Sequence, residues 1–360
     1  KLFSSLFGVN YLTTMIISAI VIVAYTTLGG FLAASTTDFI QSIIMSVALI
    51  VVLIFGVETA GGIGAVIHNA SELPGYLSMT LSYDVNTGKA APYSALTIVS
   101  TAAWGLGYFG MPHILLRFMA IEDEKKLKLS RRVATIWVVI SLFVAVFIGV
   151  IGYTMSKVGA LEMLTGSNSE TIIVKISALL SQHGVIFALL AGVILAGILA
   201  STMSTSDSQL LAASSAVSSD ILGAFRKDSS NKNGSMAAAR ITLLVISVVA
   251  AFIARNPDSS VFAIVSFAWA GFGAAFGPVV LFSLFWKRTN KWGALAGMVC
   301  GGSMVFIWKY LIRPLGGIWN IYELLPAFLI ACAAIVIVSL LTPKPSKEIE
   351  EEFDRVAQMK

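Results

Sequence analysis

Nine apolar segments, each long enough to cross a bilayer, are strung along this chain and separated by stretches in which Lys and Arg cluster. A bilayer core takes about 20 apolar residues of helix. The segments run near 11–30, 39–57, 94–112, 133–155, 185–206, 240–254, 261–286, 293–312 and 321–341. In hydrocarbon every backbone group must find its partner inside the protein, so this spacing predicts an all-α polytopic membrane protein embedded in a lipid bilayer. Composition agrees: 57% of the 360 residues are hydrophobic and 12% are charged, against about 25% charged in a soluble domain.

The basic runs orient the spans. Lys125, Lys126, Lys128, Arg131 and Arg132 follow the third span, and Arg226, Lys227 and Lys232 follow the fifth. Lys287, Arg288 and Lys291 follow the seventh, and Lys344, Lys347, Arg355 and Lys360 lie in the tail. Of the 24 Lys and Arg, only Lys1, Lys89, Lys157, Lys175, Arg255, Lys309 and Arg313 fall on the other set of connections. Cytoplasmic loops carry the excess. The N-terminal end is therefore expected outside, with a transmembrane core over 1–342 and a cytoplasmic tail over 343–360. The connections at 58–93 and 156–184 become external, and the acidic run from Glu348 to Asp354 reads as a solvated end. The net charge of +5 reports orientation and gives no reason to expect nucleic acid. Cys300 and Cys332 both lie in apolar runs and suggest neither a disulfide framework nor a transition-metal site.

The third span carries the strongest local signal. Within Ala103 to Arg117 stand Gly105, Gly107, Gly110 and Pro112. Against Ala, each Gly costs a helix interior about 1 kcal/mol and a Pro about 3, so the set predicts a break. Backbone freed by a break must be buried in protein or line a polar cavity. Pro112 suits the first position of a new half-helix, because its missing N–H would have no partner there. Such a half-helix presents a partial positive charge where a carboxylate can bind, and Trp104, Tyr108 and Phe109 supply apolar walls. The three glycines would let another molecule approach the main chain. A kinked structural helix is the competing reading. Gly105, Gly107 and Gly110 also satisfy G-x-G-x-x-G, but no soluble strand precedes them and no acid follows about 20 residues on, which argues against a nucleotide site.

The fifth span ends in hydroxyls. Ser201, Ser204, Thr205 and Ser208 follow the i, i+3, i+4, i+7 spacing of one helix face. A row of alcohols beside freed carbonyls offers the oxygen ligands that a small alkali cation prefers. Alternatively, the same hydroxyls bond back to their own helix. Asp38 opens the second span and Asp207 closes the fifth, and an acid in a membrane segment marks either function or a hydrated interface. His113 and Arg117 have no metal-ligand partner at helical spacing. Between Phe267 and Pro278 the small residues suit close packing around a bend, with Trp269 within reach of a cavity. No paired acid and base, serine–histidine arrangement or metal cluster supports an enzyme.

These stretches together resemble the sodium/solute symporters. The resemblance covers YTTLGGFLA at 25–33, TDFIQ at 37–41, WGLGYFGMPHILLRFMA at 104–120, MSTSDSQLL at 203–211, SFAWAGFGAAFGPVVLFS at 266–283 and GALAGM at 293–298. It implies an inverted-repeat (LeuT-like) symporter core of ten helices with extra helices at both ends. It also implies that about four spans precede the position of Lys1 in relatives. The chain would then be N-terminally truncated, holding core helices four to ten and two C-terminal helices, and would not transport alone. By resemblance, the carrier imports L-proline with sodium across the bacterial cytoplasmic membrane. Trp104, Gly107, Tyr108 and Pro112 would bind the substrate, while Ser204, Thr205 and the carbonyl of Ser201 would bind sodium. A second sodium site in some relatives matches Asp38, Asp207 and Ser208, although Asp207 stands where those relatives carry serine. Another small carboxylate or amino acid as cargo, and a membrane sensor reusing the fold, are the alternatives.

Overall fold

The computed structural model describes residues 2–225, 232–256 and 260–358. The chain begins with α1 (Leu2–Phe7), α2 (Tyr11–Thr59) and α3 (Ile63–Ser71). A hairpin follows, β1 (Leu81–Asp84) and β2 (Lys89–Pro92), and then α4 (Ala95–Ala102), a 3-10 segment (Ala103–Gly110) and α5 (Pro112–Met119). After these come α6 (Leu127–Lys157), α7 (Ile172–Leu180), α8 (Val185–Ser215), α9 (Leu222–Phe225) and α10 (Lys232–Ile253). The last four are α11 (Val261–Phe285), α12 (Lys291–Ile307), α13 (Leu324–Leu341) and α14 (Lys347–Gln358). Among the orienting basic residues, Lys1, Arg226, Lys227 and Lys360 lie outside the described residues.

Seven helical runs among the described residues are long and apolar enough to cross a membrane. Helical residues run from Tyr11 to Thr59 as α2, and non-helical backbone at Gly30 (φ 62, ψ −162) divides the run into two helices at the residue where the expected first span ends. The expected connection between them, 31–38, is helical instead. Thr36 and Thr37 donate to the carbonyls of Leu32 (2.9 Å) and Ala33 (3.0 Å), so their hydroxyls are satisfied without leaving the helix. Asp38 therefore does not open a span; it sits about two turns beyond the bend. The expected third span is broken as predicted and so does not count among the seven runs.

Backbone at φ 62, ψ −162 lies in territory that glycine alone enters freely, and a side chain there costs about 1–3 kcal/mol. Nothing lies within 4 Å of a Cβ built on Gly30, so the backbone supplies the whole penalty. Gly30→Ala is expected to lower the thermal unfolding midpoint of the detergent-purified protein. An unchanged midpoint would show that the bend is not fixed.

The chain divides into two compact units. One comprises Lys1–Leu77 with Ile121–Ser259, and the other Ser78–Ala120 with Ser260–Lys360. In the first, α2, α6, α7 and α8 close over Val52, Ile148, Ile151, Met155, Ile176 and Ile194, each no more than 1% exposed. The outer side of α6 is apolar as well. Val139, Phe143 and Val146 are 62%, 68% and 72% exposed, which suits a helix covered by lipid.

In the second unit α11, α12 and α13 pack around Ala270, Ala274, Val305, Leu324 and Ala327, all fully buried. Glycines let the backbones meet: a Cβ on Gly297 or Gly301 would run into Ile335 or into the main chain of Ala274. This unit also carries the hairpin, a departure from the all-α expectation. Asp84 pins its turn, its carboxylate accepting from Asn86 N (2.9 Å) and Thr87 Oγ1 (2.9 Å), with Gly88 at φ 66. These hydrogen bonds hold the Asp84 carboxyl below its ordinary range.

The acidic tail forms a helix whose residues are mostly exposed, as expected of a solvated end. α14 lays Ile349, Phe353 and Val356 toward Leu284 and Trp286. Lys287 donates to Asp354 Oδ2 (2.6 Å), which raises the lysine above its ordinary range. Arg288 and Asn290 then tie the same loop to the end of α13, at the carbonyl of Thr342 (2.7 Å) and the hydroxyl of Thr342 (2.8 Å).

Candidate functional site

In the second unit the helix that starts at Ala95 tightens into the 3-10 segment and stops at Met111 (φ −79, ψ 113). Pro112 then occupies the first turn of α5, where the absent N–H costs nothing. The amides of Ile114 and Leu115 both reach the Met111 carbonyl (3.0 Å each), so α5 begins without a side-chain cap.

Trp104 lies in an aromatic stack. Its ring is 5.6 Å from Phe262, 5.5 Å from Trp269 and 5.9 Å from Tyr322, with planes within 17° of parallel in each case. Trp269 Nε1 donates to the Trp104 carbonyl (2.9 Å), which satisfies one acceptor in the irregular segment. Tyr108 meets Trp269 edge to face at 4.8 Å and is 45% exposed.

The glycines divide by role. A Cβ on Gly107 would fall within the Trp269 indole, and one on Gly110 would meet the main chain of Phe272, Gly273 and Gly277. A close neighbour does approach these two residues, but it is α11 rather than a ligand. Gly107 thus has α11 packed on the side where a side chain would project. Gly105 has nothing within 4 Å of the corresponding position, and its main chain alone among the three stays open. Trp269, expected within reach of a cavity, packs in this stack.

In the first unit the expected cation ligands lie along α8. Ser204 Oγ and Thr205 Oγ1 both donate to the Ser201 carbonyl, at 3.2 and 3.0 Å, and Ser201 Oγ donates to Ile198 O at 3.2 Å. Three oxygens thus gather around one turn. A hydroxyl that donates to a carbonyl keeps two lone pairs for another partner, so this is both ordinary back-bonding and a cluster able to face a cation.

Asp207 does not close the span. α8 runs on to Ser215, because the preceding hydroxyls are paired within the helix, and Asp207 is fully buried. Its Oδ2 accepts from Tyr25 OH (2.9 Å), and the same phenol lies 3.2 Å from the Met203 carbonyl. Ser208 Oγ stands 3.3 Å from Asp207 Oδ1 and 3.5 Å from Asp38 Oδ2, bringing both carboxyls to one hydroxyl. Asp38, Asp207 and Ser208 are therefore neighbours. Tyr25 completes the group; it belongs to a motif noted in the sequence, but no spacing pointed to its partner 182 residues away.

The sodium:solute symporter family profile matches residues 1–301. The osmoregulated proline transporter of Bacillus subtilis is 38% identical over 347 residues, covering 96% of this chain and 67% of that protein. A sodium/proline symporter of Haemophilus influenzae is 39% identical over 361 residues, covering 99% of this chain and 69% of that protein. Among solved structures, the substrate-bound outward-open state of a Na+-coupled sialic acid symporter superposes with a TM-score of 0.72 at 17% identity, covering 95% of this chain and 69% of that one. The fold is shared with that structure.

Proposed function

The chain belongs to the sodium:solute symporter family, and from that premise we propose that it imports L-proline together with sodium across the bacterial cytoplasmic membrane. The observation that carries the reading is the break at Met111 with Pro112 opening α5. An uncapped half-helix start inside a membrane segment favours a carboxylate. Relatives similar over nearly the whole chain are named as proline carriers. In this reading Trp104, Gly107, Tyr108 and Pro112 line the cargo site, and Gly105 leaves further main chain for the cargo to approach.

Sodium, as co-substrate, takes Ser204 Oγ, Thr205 Oγ1 and the Ser201 carbonyl. Asp38, Asp207 and Ser208 would take a second sodium. Binding of sodium favours the outward-facing state, and its low internal concentration favours release after the chain turns inward. Coupling is the difference in affinity between those two states. We count nine crossings, with α2 crossing twice about Gly30 and residues 95–119 forming one broken crossing; the nine correspond to core helices four to ten and two more. The basic runs put the tail in the cytoplasm.

The test is labelled proline uptake by the full-length carrier in proteoliposomes under an inward sodium gradient. Uptake is expected to collapse without the gradient and to be displaced by unlabelled proline in preference to acyclic amino acids. Displacement by another solute at lower concentration would reassign the cargo, and uptake indifferent to sodium would remove the coupling.

A further inference from the structure

Tyr322 lies just before α13, outside every stretch that pointed to the cargo site, yet it is tied to that site from three directions. Its ring stacks on Trp104, with planes 15° apart. Its phenol donates to the Ser266 carbonyl on α11 (2.6 Å), and its amide donates to Ser100 Oγ on α4 (3.1 Å). The next residue, Glu323, is 2% exposed and is held by Arg313 Nη1 (2.8 Å), with Lys309 Nζ at 3.9 Å. A buried carboxylate must keep its partners or expose an uncompensated charge. The start of α13 is therefore fixed, and Tyr322 with it.

Trp104 has its backbone anchored by Trp269, but the tilt of its ring is set by what stacks on it. Phe262 and Trp269 both belong to α11, and Phe262 is 69% exposed. Among the described residues, Tyr322 is the one stacking partner supplied from beyond α11. Resting on the reading of Trp104 as a wall of the cargo site, we propose that Tyr322 is a positioning residue that fixes the Trp104 ring and thereby sets cargo affinity.

The test is a double-mutant cycle in the full-length carrier, reading KM for proline and maximal uptake per carrier in the membrane. An aromatic pair of this kind corresponds to a change of about three- to tenfold. Tyr322→Leu is expected to raise KM by that factor with maximal uptake within about twofold of the parent. Tyr322→Phe, which keeps the ring, should stay near the parent. In a Trp104→Leu background Tyr322→Leu should add nothing, because the residue acts through the missing ring. A KM rise that is additive with Trp104→Leu, a loss of maximal uptake with KM unchanged, or a Phe variant as impaired as the Leu variant would each overturn the inference. If Tyr322→Leu fails to accumulate, Tyr322→Met keeps most of the volume and makes the same comparison. Unchanged KM in Trp104→Leu alone would instead reject Trp104 as a cargo wall, and the inference with it.

Discussion

Replacing Ser204 and Thr205 together by alanine is expected to raise the sodium concentration for half-maximal uptake by at least about a hundredfold, with proline affinity at saturating sodium much less affected. A contact between an oxygen and a charged partner is worth about 1.5–3 kcal/mol, and two are removed at once. Ser206 is the internal control. Its hydroxyl donates to Thr202 O at 2.8 Å, the same back-bond that Ser204 and Thr205 make to Ser201 O. If these hydroxyls do nothing beyond satisfying the helix, Ser206→Ala and the double variant behave alike. A sodium response lost in the double variant and kept in Ser206→Ala separates ion binding from helix chemistry. Equal responses would sink the sodium assignment.

The break at Met111 could be read from the sequence because Gly and Pro act through the local backbone, and their helix penalties hold in almost any surroundings. Hydropathy likewise located most spans, since the bilayer fixes their length. What the sequence concealed depends on satisfaction at a distance. The stretches containing Thr36, Thr37, Ser204 and Thr205 looked like span ends because they are polar. Their hydroxyls bond one turn back, so α2 and α8 continue and carry Asp38 and Asp207 inside helices rather than at their ends.

Tertiary partners were hidden for the same reason. Nothing near Tyr25 announces Asp207, and nothing near Lys287 announces the acidic tail that it binds. The acids of α14 were visible as charge, but not that one of them, Asp354, accepts from Lys287. The hairpin went unread although Asp84, Asn86 and Gly88 are turn-forming residues, because hydropathy marks only the spans and left 58–93 as a connection.

Gly110→Ala is expected to be among the most damaging single-methyl changes in the chain. The added carbon would meet the carbonyl oxygen of Phe272 and lie 2.9 Å from both Gly273 Cα and Gly277 N. All three are main-chain atoms of α11, so no rotamer change relieves the clash. Moving α11 away would also disturb Gly273 against Leu324 and Gly277 against Phe328. Overpacking typically costs about 1–3 kcal/mol where side chains can adjust, and a rigid backbone wall puts this site at or above the upper end. Gly105→Ala adds the same methyl five residues earlier, where nothing lies within 4 Å, and exchanging Gly for Ala in a helical turn is worth up to about 1 kcal/mol in stability. Thermal unfolding of the two purified variants in detergent should therefore diverge, Gly110→Ala falling well below the parent and Gly105→Ala holding level or rising. Coincident midpoints would mean that the 3-10 segment and α11 do not meet at Gly110. Without that contact, the ring of Trp269 would be held against Trp104 only by its hydrogen bond to the Trp104 carbonyl and by Tyr108, and the aromatic wall assigned to the cargo would lose part of its support.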